Sequence, residues 1–401
     1  MRIAKTVLLA SSLVVSMSAQ SGGAKQFVRP AAGQTPPYSP AIKAGGEVYV
    51  SGQLGTNEKG DLVPGDVTAQ ATQIFANIKD LLGKAGSSLD QVVTTRVILA
   101  NASDFPALDA VYRQQFKGDP PARTTVIGGM VRAGALIEIQ ATAVPNGVQR
   151  TAVLPAGWMK PASPYSYGIK AGDTLYMSGL VSRNGKDNSQ VAGDVPAQTK
   201  TIMTNAVEVL KAAGMTLGDT VTSQVMLRDI KNFAPMNEAY RPFWEKDRPT
   251  RVTFEDAPPG TFDVEITFSA IKGSSPREVI IPNRADGTPG TAGPNFSPAI
   301  KVGNRLFISG GTGNNASNEG DMKAQATETL ARFGPALKAA GFEYKDIVSS
   351  EVYVTDVQKF NDMNDGYRPT FATDAPTRTT FGVSKLAGGN ALVEIMVTAV
   401  K

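Results

Sequence analysis

The sequence contains neither cysteine nor histidine in its 401 residues. Without cysteine it has no disulfide, no thiol nucleophile and no thiolate metal site. Without histidine it lacks the Ser-His-Asp triad, imidazole acid–base chemistry and histidine-ligated zinc or iron. Any chemistry must therefore rest on carboxylates, Arg or Lys, hydroxyl groups, backbone groups and water.

A strong excess of charge and a long apolar run are missing as well. The net charge is only +4, and no segment after the N-terminus approaches the roughly 18 apolar residues of a membrane-spanning helix. This balance gives no support for binding nucleic acid or an anionic membrane. The apolar fraction of 41% is ordinary for globular proteins, and the length suits two to four domains.

The N-terminus has the three-part pattern of an export signal. Arg2 and Lys5 are basic, residues 7–15 are apolar, and the small residues Ser18 and Ala19 offer a cleavage site. The pattern predicts a signal peptide over residues 1–19 and a periplasmic or secreted protein. Its removal would lower the net charge by two. Without disulfides, the exported protein would depend on packing alone.

The rest of the chain repeats with a period of 127 to 128 residues. Three markers keep this period: an Ala-Gln pair, a Tyr-Arg pair and an arginine after proline. They begin at Ala69, Ala197 and Ala324, at Tyr112, Tyr240 and Tyr367, and at Arg123, Arg251 and Arg378. Because the period far exceeds that of solenoid repeats, each copy should be a domain with its own core. The predicted domains are residues 27–147, 148–273 and 277–401.

Each copy predicts the order β-β-α-β-α-β-β, an α+β fold with helices on one face of a sheet. In the first copy, the predicted elements are two strands within 41–52, a helix at 67–84, a strand at 92–99, a helix at 105–116, a strand that contains Arg123 and a closing strand at 135–144. The first helices of the other copies are predicted at 196–213 and 322–340, and Pro335 should kink or split the latter. The lead-in at 21–34 and the connections near 145–147 and 273–290 are predicted to be irregular.

Each copy also places a lone acid inside an apolar closing strand, at Glu138, Glu265 and Glu394. A buried carboxylate needs a partner, and the repeated arginine could supply it as a structural salt bridge. The alternative is a ligand site. A guanidinium binds a carboxylate through two parallel hydrogen bonds, and a partly desolvated glutamate can position or deprotonate water.

The combined pattern resembles the RidA (YjgF-like) family. It consists of a Tyr, a Ser-Gly thirteen residues later, an Asn before a Tyr in the second helix, Pro-x-Arg, and an apolar-Glu-apolar strand, and it covers about residues 27–401. The resemblance implies a chorismate-mutase-like α+β fold and enamine/imine deaminase activity without metal or cofactor. Because family members are usually homotrimers with clefts between subunits, it also implies a monomeric chain that closes into an intramolecular pseudo-trimer.

The resemblance carries site residues over to each copy. They are Tyr38, Ser51, Gly52, Arg123 and Glu138 in the first copy, Tyr165, Ser178, Gly179, Asn237, Arg251 and Glu265 in the second, and Ser309, Gly310, Asn364, Arg378 and Glu394 in the third. The second copy has the full set, whereas the first has Asp109 in place of Asn and the third has Phe296 in place of Tyr. The arginine would bind the substrate carboxylate, and the glutamate would position the water that attacks the imine carbon, releasing ammonia and a 2-keto acid.

Two other functions remain open at this point. The first is a non-catalytic periplasmic binder of small carboxylates, which export and the two altered copies favour. The second is a ribonuclease, which the lack of histidine and the near-neutral charge disfavour. The expected partner is a small carboxylate, with no nucleic acid and no stable membrane association.

Overall fold

A computed structural model describes residues 25–29, 36–284 and 287–401. The predicted signal peptide at residues 1–19 lies outside these residues and stays a prediction. Within the described ranges, no helix is long and apolar enough to cross a membrane.

Each copy folds into one sheet with helices on one face. The elements of the first copy are β1 (Gln26–Val28), β2 (Ala41–Ala44), β3 (Glu47–Leu54), α1 (Val67–Lys84), β4 (Val92–Leu99), α2 (Phe105–Gln115), β5 (Ala122–Ile127), β6 (Gly129–Met130) and β7 (Ile137–Ala143). Those of the second copy are β8 (Arg150–Val153), β9 (Gly168–Ala171), β10 (Thr174–Met177), α3 (Val195–Ala212), β11 (Thr220–Leu227), α4 (Phe233–Tyr240), β12 (Thr250–Glu255) and β13 (Val264–Ile271).

The third copy repeats this course with a divided first helix. Its elements are β14 (Arg277–Ile280), β15 (Ala299–Val302), β16 (Arg305–Thr312), α5 (Met322–Ala331), α6 (Gly334–Ala340), β17 (Ile347–Val354), α7 (Phe360–Tyr367), β18 (Thr377–Gly382), β19 (Lys385–Leu386) and β20 (Val393–Val400). The predicted effect of Pro335 is confirmed. Proline lacks a backbone N–H and clashes with the preceding turn, so α5 ends before it and α6 starts with it in the first turn.

The predicted α+β fold is confirmed, and each copy contains the order β-β-α-β-α-β-β together with short strands that were not predicted, among them β6 and β19. Each copy has an additional first strand, namely β1, β8 or β14, which pairs antiparallel with the next strand at the sheet edge. These strands have only three or four residues and no fully buried face, so their sequences carry little alternation. β1 lies in the supposedly irregular lead-in, and β14 lies in the supposedly irregular connection at 273–290.

The closing strand of each copy lies inside its sheet. In the first copy the strand order is β1-β2-β3-β7-β4-β5, with β7 antiparallel to both neighbours and β4 parallel to β5. One face of each sheet packs on its helices to form a separate apolar core. The opposite faces of the three sheets meet one another, and residues of all three copies form a further apolar cluster there.

Short strand exchanges join the copies in a ring. β6 of the first copy adds to the edge of the third sheet beside β18, and β19 of the third copy adds to the second sheet beside β12. An isolated bridge between Ile127 and Ala257 links the first and second copies in the same sense. The three copies are therefore arranged as an intramolecular pseudo-trimer, as the resemblance to the RidA family implies.

Equivalent positions along the central axis carry different charges. The fifth residues of β4, β11 and β17 are Arg96, Gln224 and Glu351. The Glu351 carboxylate accepts a hydrogen bond of 2.7 Å from Gln224 and lies 3.5 Å from Arg96. The first residues of β3, β10 and β16 are Glu47, Thr174 and Arg305, and Arg305 donates to both others at 2.8 and 2.7 Å. Each layer thus combines a base, an acid and a neutral polar group.

Candidate active sites between the domains

The arginine and glutamate of one copy do not form a common site. Each arginine is the second residue of β5, β12 or β18, and each glutamate is the second residue of β7, β13 or β20. Arg123 and Glu265 line one cavity, and Arg378 and Glu138 line another. The third pair is Arg251 with Glu394, as their mutual electrostatic influence shows. We call the cleft of Arg123 and Glu265 the first–second cleft and that of Arg378 and Glu138 the third–first cleft. The cleft of Arg251 and Glu394 is the second–third cleft.

A serine from the neighbouring copy fixes the position of each arginine. The Ser51 hydroxyl accepts a hydrogen bond of 2.9 Å from the Arg378 backbone N–H and donates to the Ser39 carbonyl at 2.7 Å. Ser178 and Ser309 act in the same way on Arg123 and Arg251, at 2.8 and 2.9 Å. The cavity walls formed by the described residues do not include Ser51 or Ser178. These hydrogen bonds hold the domains together at the arginine, and the assignment of the serines to substrate binding stays a prediction.

The glycine after each serine makes room for the glutamate. Ser51-Gly52 and Ser309-Gly310 form β-bulges, where one extra residue shifts the register against β7 and β20. A Cβ atom on Gly52 would lie 1.7 Å from Oε1 of Glu138, and one on Gly179 would lie 1.7 Å from Oε1 of Glu265. For Gly310 and Glu394 the distance is 2.1 Å. No side chain is compatible with the observed carboxyl position.

Three aromatic rings surround each guanidinium. Arg378 lies over Tyr367 and Phe360 of its own copy and over Tyr38 of the first copy, at 4.8 to 5.6 Å from the ring centroids. The equivalent rings are Tyr112, Phe105 and Tyr165 around Arg123, and Tyr240, Phe233 and Phe296 around Arg251. The phenylalanines of the second helices, Phe105, Phe233 and Phe360, were not predicted, and the Tyr-Arg tyrosines had no role in the sequence analysis beyond marking the repeat. The tyrosines do anchor their helices, as when Tyr112 donates to Thr95 at 2.9 Å, but their rings also support the cation.

One Nη group of each guanidinium contacts a polar residue of the second helix of its own copy. Asn364 accepts from Arg378 at 2.7 Å, and Asn237 accepts from Arg251 at 2.8 Å. In the first–second cleft Asp109 takes this role and forms an ion pair of 2.8 Å with Arg123. A neutral amide leaves the positive charge available to a ligand, whereas the aspartate compensates it. Asp109 therefore weakens anion binding in that cleft.

Other guanidinium nitrogens are buried without a partner. Among the described residues, Nη1 of Arg378, Nη2 of Arg251 and Nη1 of Arg123 have no hydrogen-bond acceptor. Arg378 is 4% exposed, and its burial lowers the pKa of the guanidinium because the cation has lost hydration. Buried donors that lack partners are costly, so an anionic ligand would satisfy them.

Domain pairing changes which site has the full set of residues. The predicted full set of the second copy is divided between two clefts. Tyr165, Gly179 and Glu265 belong to the first–second cleft, whereas Asn237 and Arg251 belong to the second–third cleft. The first–second cleft contains Asp109, and the second–third cleft contains Phe296, which stacks on Arg251 but has no hydroxyl. The third–first cleft combines Tyr38, Ser51, Gly52 and Glu138 with Asn364 and Arg378. It alone of the three has every residue of the family pattern.

The third–first cleft is also the larger of the two measured cavities, at about 610 Å³ against about 310 Å³ for the first–second cleft. Thr380 lines it beside Glu138 and Arg378, and its buried hydroxyl has no partner among the described residues. Sequence reasoning missed Thr380. A threonine two residues after the arginine recurs at Thr125 and Thr253, and this recurrence was the available signal.

Burial raises the pKa of all three glutamates. The pKa of Glu138 is raised to about 8 by desolvation, against the opposing effects of the Arg378 charge and a hydrogen bond from the Thr380 backbone. Desolvation likewise raises the pKa of Glu265 and of Glu394 to about 8, opposed by nearby arginines. A carboxyl group with a pKa near neutrality can both accept and return a proton, which suits general acid–base catalysis. Burial also raises the pKa of Tyr38, so its hydroxyl stays a donor.

These carboxyl groups should make stability depend on pH. In the unfolded chain a glutamate has a pKa of about 4.5, so between pH 4.5 and 8 the folded protein binds more protons and loses stability as the pH rises. The slope is at most about 1.4 kcal/mol per pH unit for each carboxyl. We expect Glu138→Gln to stabilise the protein at pH 8 relative to wild type and to have a smaller effect at pH 5. Urea unfolding of both proteins at the two pH values measures this, and equal differences at both would contradict the raised pKa.

Comparison with known proteins places this arrangement in a family. The model of the endoribonuclease L-PSP family matches three times, at residues 29–145, 157–272 and 288–401, which together make up well over half of the chain. The chain therefore belongs to this family, that of the RidA- and YjgF-like proteins, as three tandem copies.

Individual relatives match single copies. The 3-aminoacrylate deaminase RutC of Acinetobacter baylyi is 43% identical over 108 residues, covering 27% of this chain and 86% of the relative. A 2-iminobutanoate/2-iminopropanoate deaminase of Mus musculus is 38% identical over 109 residues, covering 27% and 81%. Among solved structures, RidA from the Antarctic bacterium Psychrobacter sp. PAMC 21119 is 38% identical and covers 30% of this chain and 98% of that chain, with a TM-score of 0.28.

Proposed function

We propose that the protein hydrolyses small 2-imino acids, or their enamine tautomers, to 2-keto acids and ammonia in the third–first cleft. The observation that carries the proposal is the combination of Arg378, whose charge is left uncompensated by Asn364, with Glu138, whose pKa is about 8. The names of the relatives, which are 3-aminoacrylate and 2-iminobutanoate/2-iminopropanoate deaminases, support the same chemistry.

In this mechanism the substrate carboxylate binds the partnerless Nη1 of Arg378. The buried aromatic surroundings strengthen this charge-assisted hydrogen bond, and Tyr38 and Thr380 have hydroxyl groups in the same cavity for further contacts. Fixing the carboxylate fixes the adjacent C2 atom with respect to Glu138. Orientation of this kind contributes strongly when one reactant is a water molecule that must be aligned.

Glu138 then acts as general base and general acid. Its carboxylate removes a proton from water while the water oxygen bonds to C2 and the C=N π electrons move to nitrogen. The nitrogen of this adduct takes that proton from Glu138, which gives the neutral carbinolamine. Glu138 then transfers the proton of the C2 hydroxyl to the nitrogen, and as the C–N bond breaks, ammonia leaves and the C2 oxygen becomes the ketone. Water is consumed and no oxidant or reductant is required. Imines hydrolyse readily, so a positioned water and one base suffice.

The RNA cleavage named in the family description fits these residues less well. The chain has no histidine for acid–base catalysis and a net charge of only +4. The polar groups of the third–first cleft instead converge on a cavity suited to a small anion.

Ammonia release from imines generated in situ tests the proposal. An amino-acid oxidase acting on alanine or 2-aminobutanoate supplies the imine, and a coupled dehydrogenase measures ammonia. We expect wild type to accelerate release and Glu138→Gln to lose at least about a hundredfold, a typical effect of removing a general base. The matched variant Glu265→Gln, in the cleft altered by Asp109, should lose far less. Wild-type rates equal to the uncatalysed rate would reject the proposal, and saturable pyruvate binding without turnover would instead favour a carboxylate-binding protein.

A further inference from the structure

The charged residues around the third–first cavity are unusually one-sided. Arg132, Arg368 and Arg378 all line it, and the one acidic group among the described residues of the same wall is Glu138. Because the carboxyl group of Glu138 is buried and its pKa is raised, it compensates these charges weakly at neutral pH. A substrate with a single carboxylate bound to Arg378 would leave the charge of Arg132 uncompensated in a partly enclosed space, where charges interact more strongly than in bulk water.

The two additional arginines come from different copies. Arg132 lies between β6 and β7 of the first copy, and Arg368 follows α7 of the third copy, whereas Arg378 is in β18. The Arg132 side chain is half-buried and makes no hydrogen bond or ion pair within the described ranges of the chain. It influences its surroundings electrostatically, since its charge opposes the rise in the pKa of Tyr38. A cation in this position is available to a ligand that already contacts Tyr38.

The first–second cleft serves as an internal comparison. Its cavity is about half as large, and the loop of the second copy that borders it contributes Pro259 and Gly260 in place of a cation. Its arginines are Arg123, which is paired with Asp109, and Arg183, which donates to the Asn188 carbonyl at 2.7 Å. In the first–second cleft, therefore, one arginine is compensated by an acid and the other already donates to a backbone carbonyl, whereas the side chain of Arg132 has neither kind of partner among the described residues.

We infer that the third–first cleft recognises 2-imino acids whose side chain carries a second carboxylate, with Arg378 binding the 2-carboxylate and Arg132 the distal one. This inference rests on the proposed function for its imine chemistry, while the recognition of a dicarboxylate stands on the charges of the cavity. Guanidinium groups form strong paired hydrogen bonds with carboxylates, and the larger cavity has room for the longer ligand. The product would be a 2-oxo dicarboxylic acid.

Binding of stable 2-oxo acids tests the recognition separately from catalysis. 2-Oxoglutarate and 2-oxopentanoate have the same number of carbons and differ by the distal carboxylate, and calorimetry measures both affinities. We expect wild type to bind 2-oxoglutarate at least about tenfold more tightly, as one additional charge-assisted contact provides. In Arg132→Gln this ratio should fall to about two or less. In the matched variant Arg183→Gln, which removes an arginine from the other cavity, the ratio should stay at the wild-type value.

Turnover distinguishes the two proposals. Imines from D-glutamate and D-norvaline, generated by D-aspartate oxidase and D-amino-acid oxidase, differ in the same way. A preference for 2-oxoglutarate that Arg132→Gln removes supports the inference even if neither imine is deaminated, a result that would reject only the proposed catalysis. Equal affinities in wild type, or a ratio that Arg132→Gln leaves unchanged, would overturn the inference even if the norvaline imine is hydrolysed rapidly.

Discussion

Replacing Arg378 with glutamine should lower kcat/KM for imine hydrolysis by about a hundredfold to a thousandfold, whereas the same change at Arg123 should have at most a small effect. Removing one partner of a buried, charge-assisted contact typically costs about 3–4 kcal/mol, which corresponds to this range. Arg378 has a neutral acceptor in Asn364 and a partnerless Nη1, while the charge of Arg123 is already compensated by Asp109. Coupled ammonia assays on the two variants measure the contrast.

A third variant, at Arg251, and measurements of folding provide the controls. Arg251→Gln should have an intermediate effect at most, because its cleft retains Asn237 but has Phe296 in place of a tyrosine. Circular dichroism and thermal unfolding establish that each variant is folded, which matters because all three arginines are buried. A loss in Arg123→Gln as large as that in Arg378→Gln would show that Asp109 does not disable its cleft.

Gly52→Ala should reduce turnover by about a hundredfold or more while leaving the fold intact. The added Cβ would lie 1.7 Å from Oε1 and 2.7 Å from Cδ of Glu138, so the carboxyl group must move out of its position. Displacing a catalytic group by about 1 Å is enough for a loss of about a hundredfold. Because the displaced Glu138 would be better hydrated, its pKa should fall towards that of an ordinary glutamate. The pH dependence of kcat/KM measures this second effect.

Two other glycines make matched controls for this variant. Gly179→Ala produces the same 1.7 Å clash with Glu265 in the first–second cleft and should change turnover far less. At Gly118 an added Cβ meets nothing within 4 Å, so Gly118→Ala should behave as wild type. If Gly52→Ala kept full activity, Glu138 could not be the general base in its observed position.

The elements that dominate the fold could be predicted because their signals are local. The helix at Val67–Lys84 and the strand at Val92–Leu99 agree with their predicted bounds, since apolar periodicity and terminal glycines define them within the segment itself. The break at Pro335 follows from the chemistry of one residue. The first strand of each copy was missed because a strand of three or four residues at a sheet edge depends on its partner rather than on its own sequence.

The candidate site was predictable in its residues but not in their grouping. The period of the repeat identifies Arg378 and Glu138 as members of a set, but it says nothing about which copies are neighbours across a cleft. That pairing depends on non-local contacts such as the Ser51 hydroxyl bound to the Arg378 backbone, separated by 327 residues. The roles of Ser51 and Thr380 were likewise hidden, because sequence shows which residues recur and not which side of a bulge or strand they face.

The unequal charges along the central axis give the chain a freedom that three identical subunits do not have. In a homotrimer a substitution at the axis or in a cleft occurs three times at once, so a lone arginine or aspartate is repeated around the ring. Here Arg96 faces Glu351, and Asp109 and Phe296 each alter a single cleft. Because the three copies share one polypeptide, a substitution changes a single cleft, so one cleft can keep residues that another has lost.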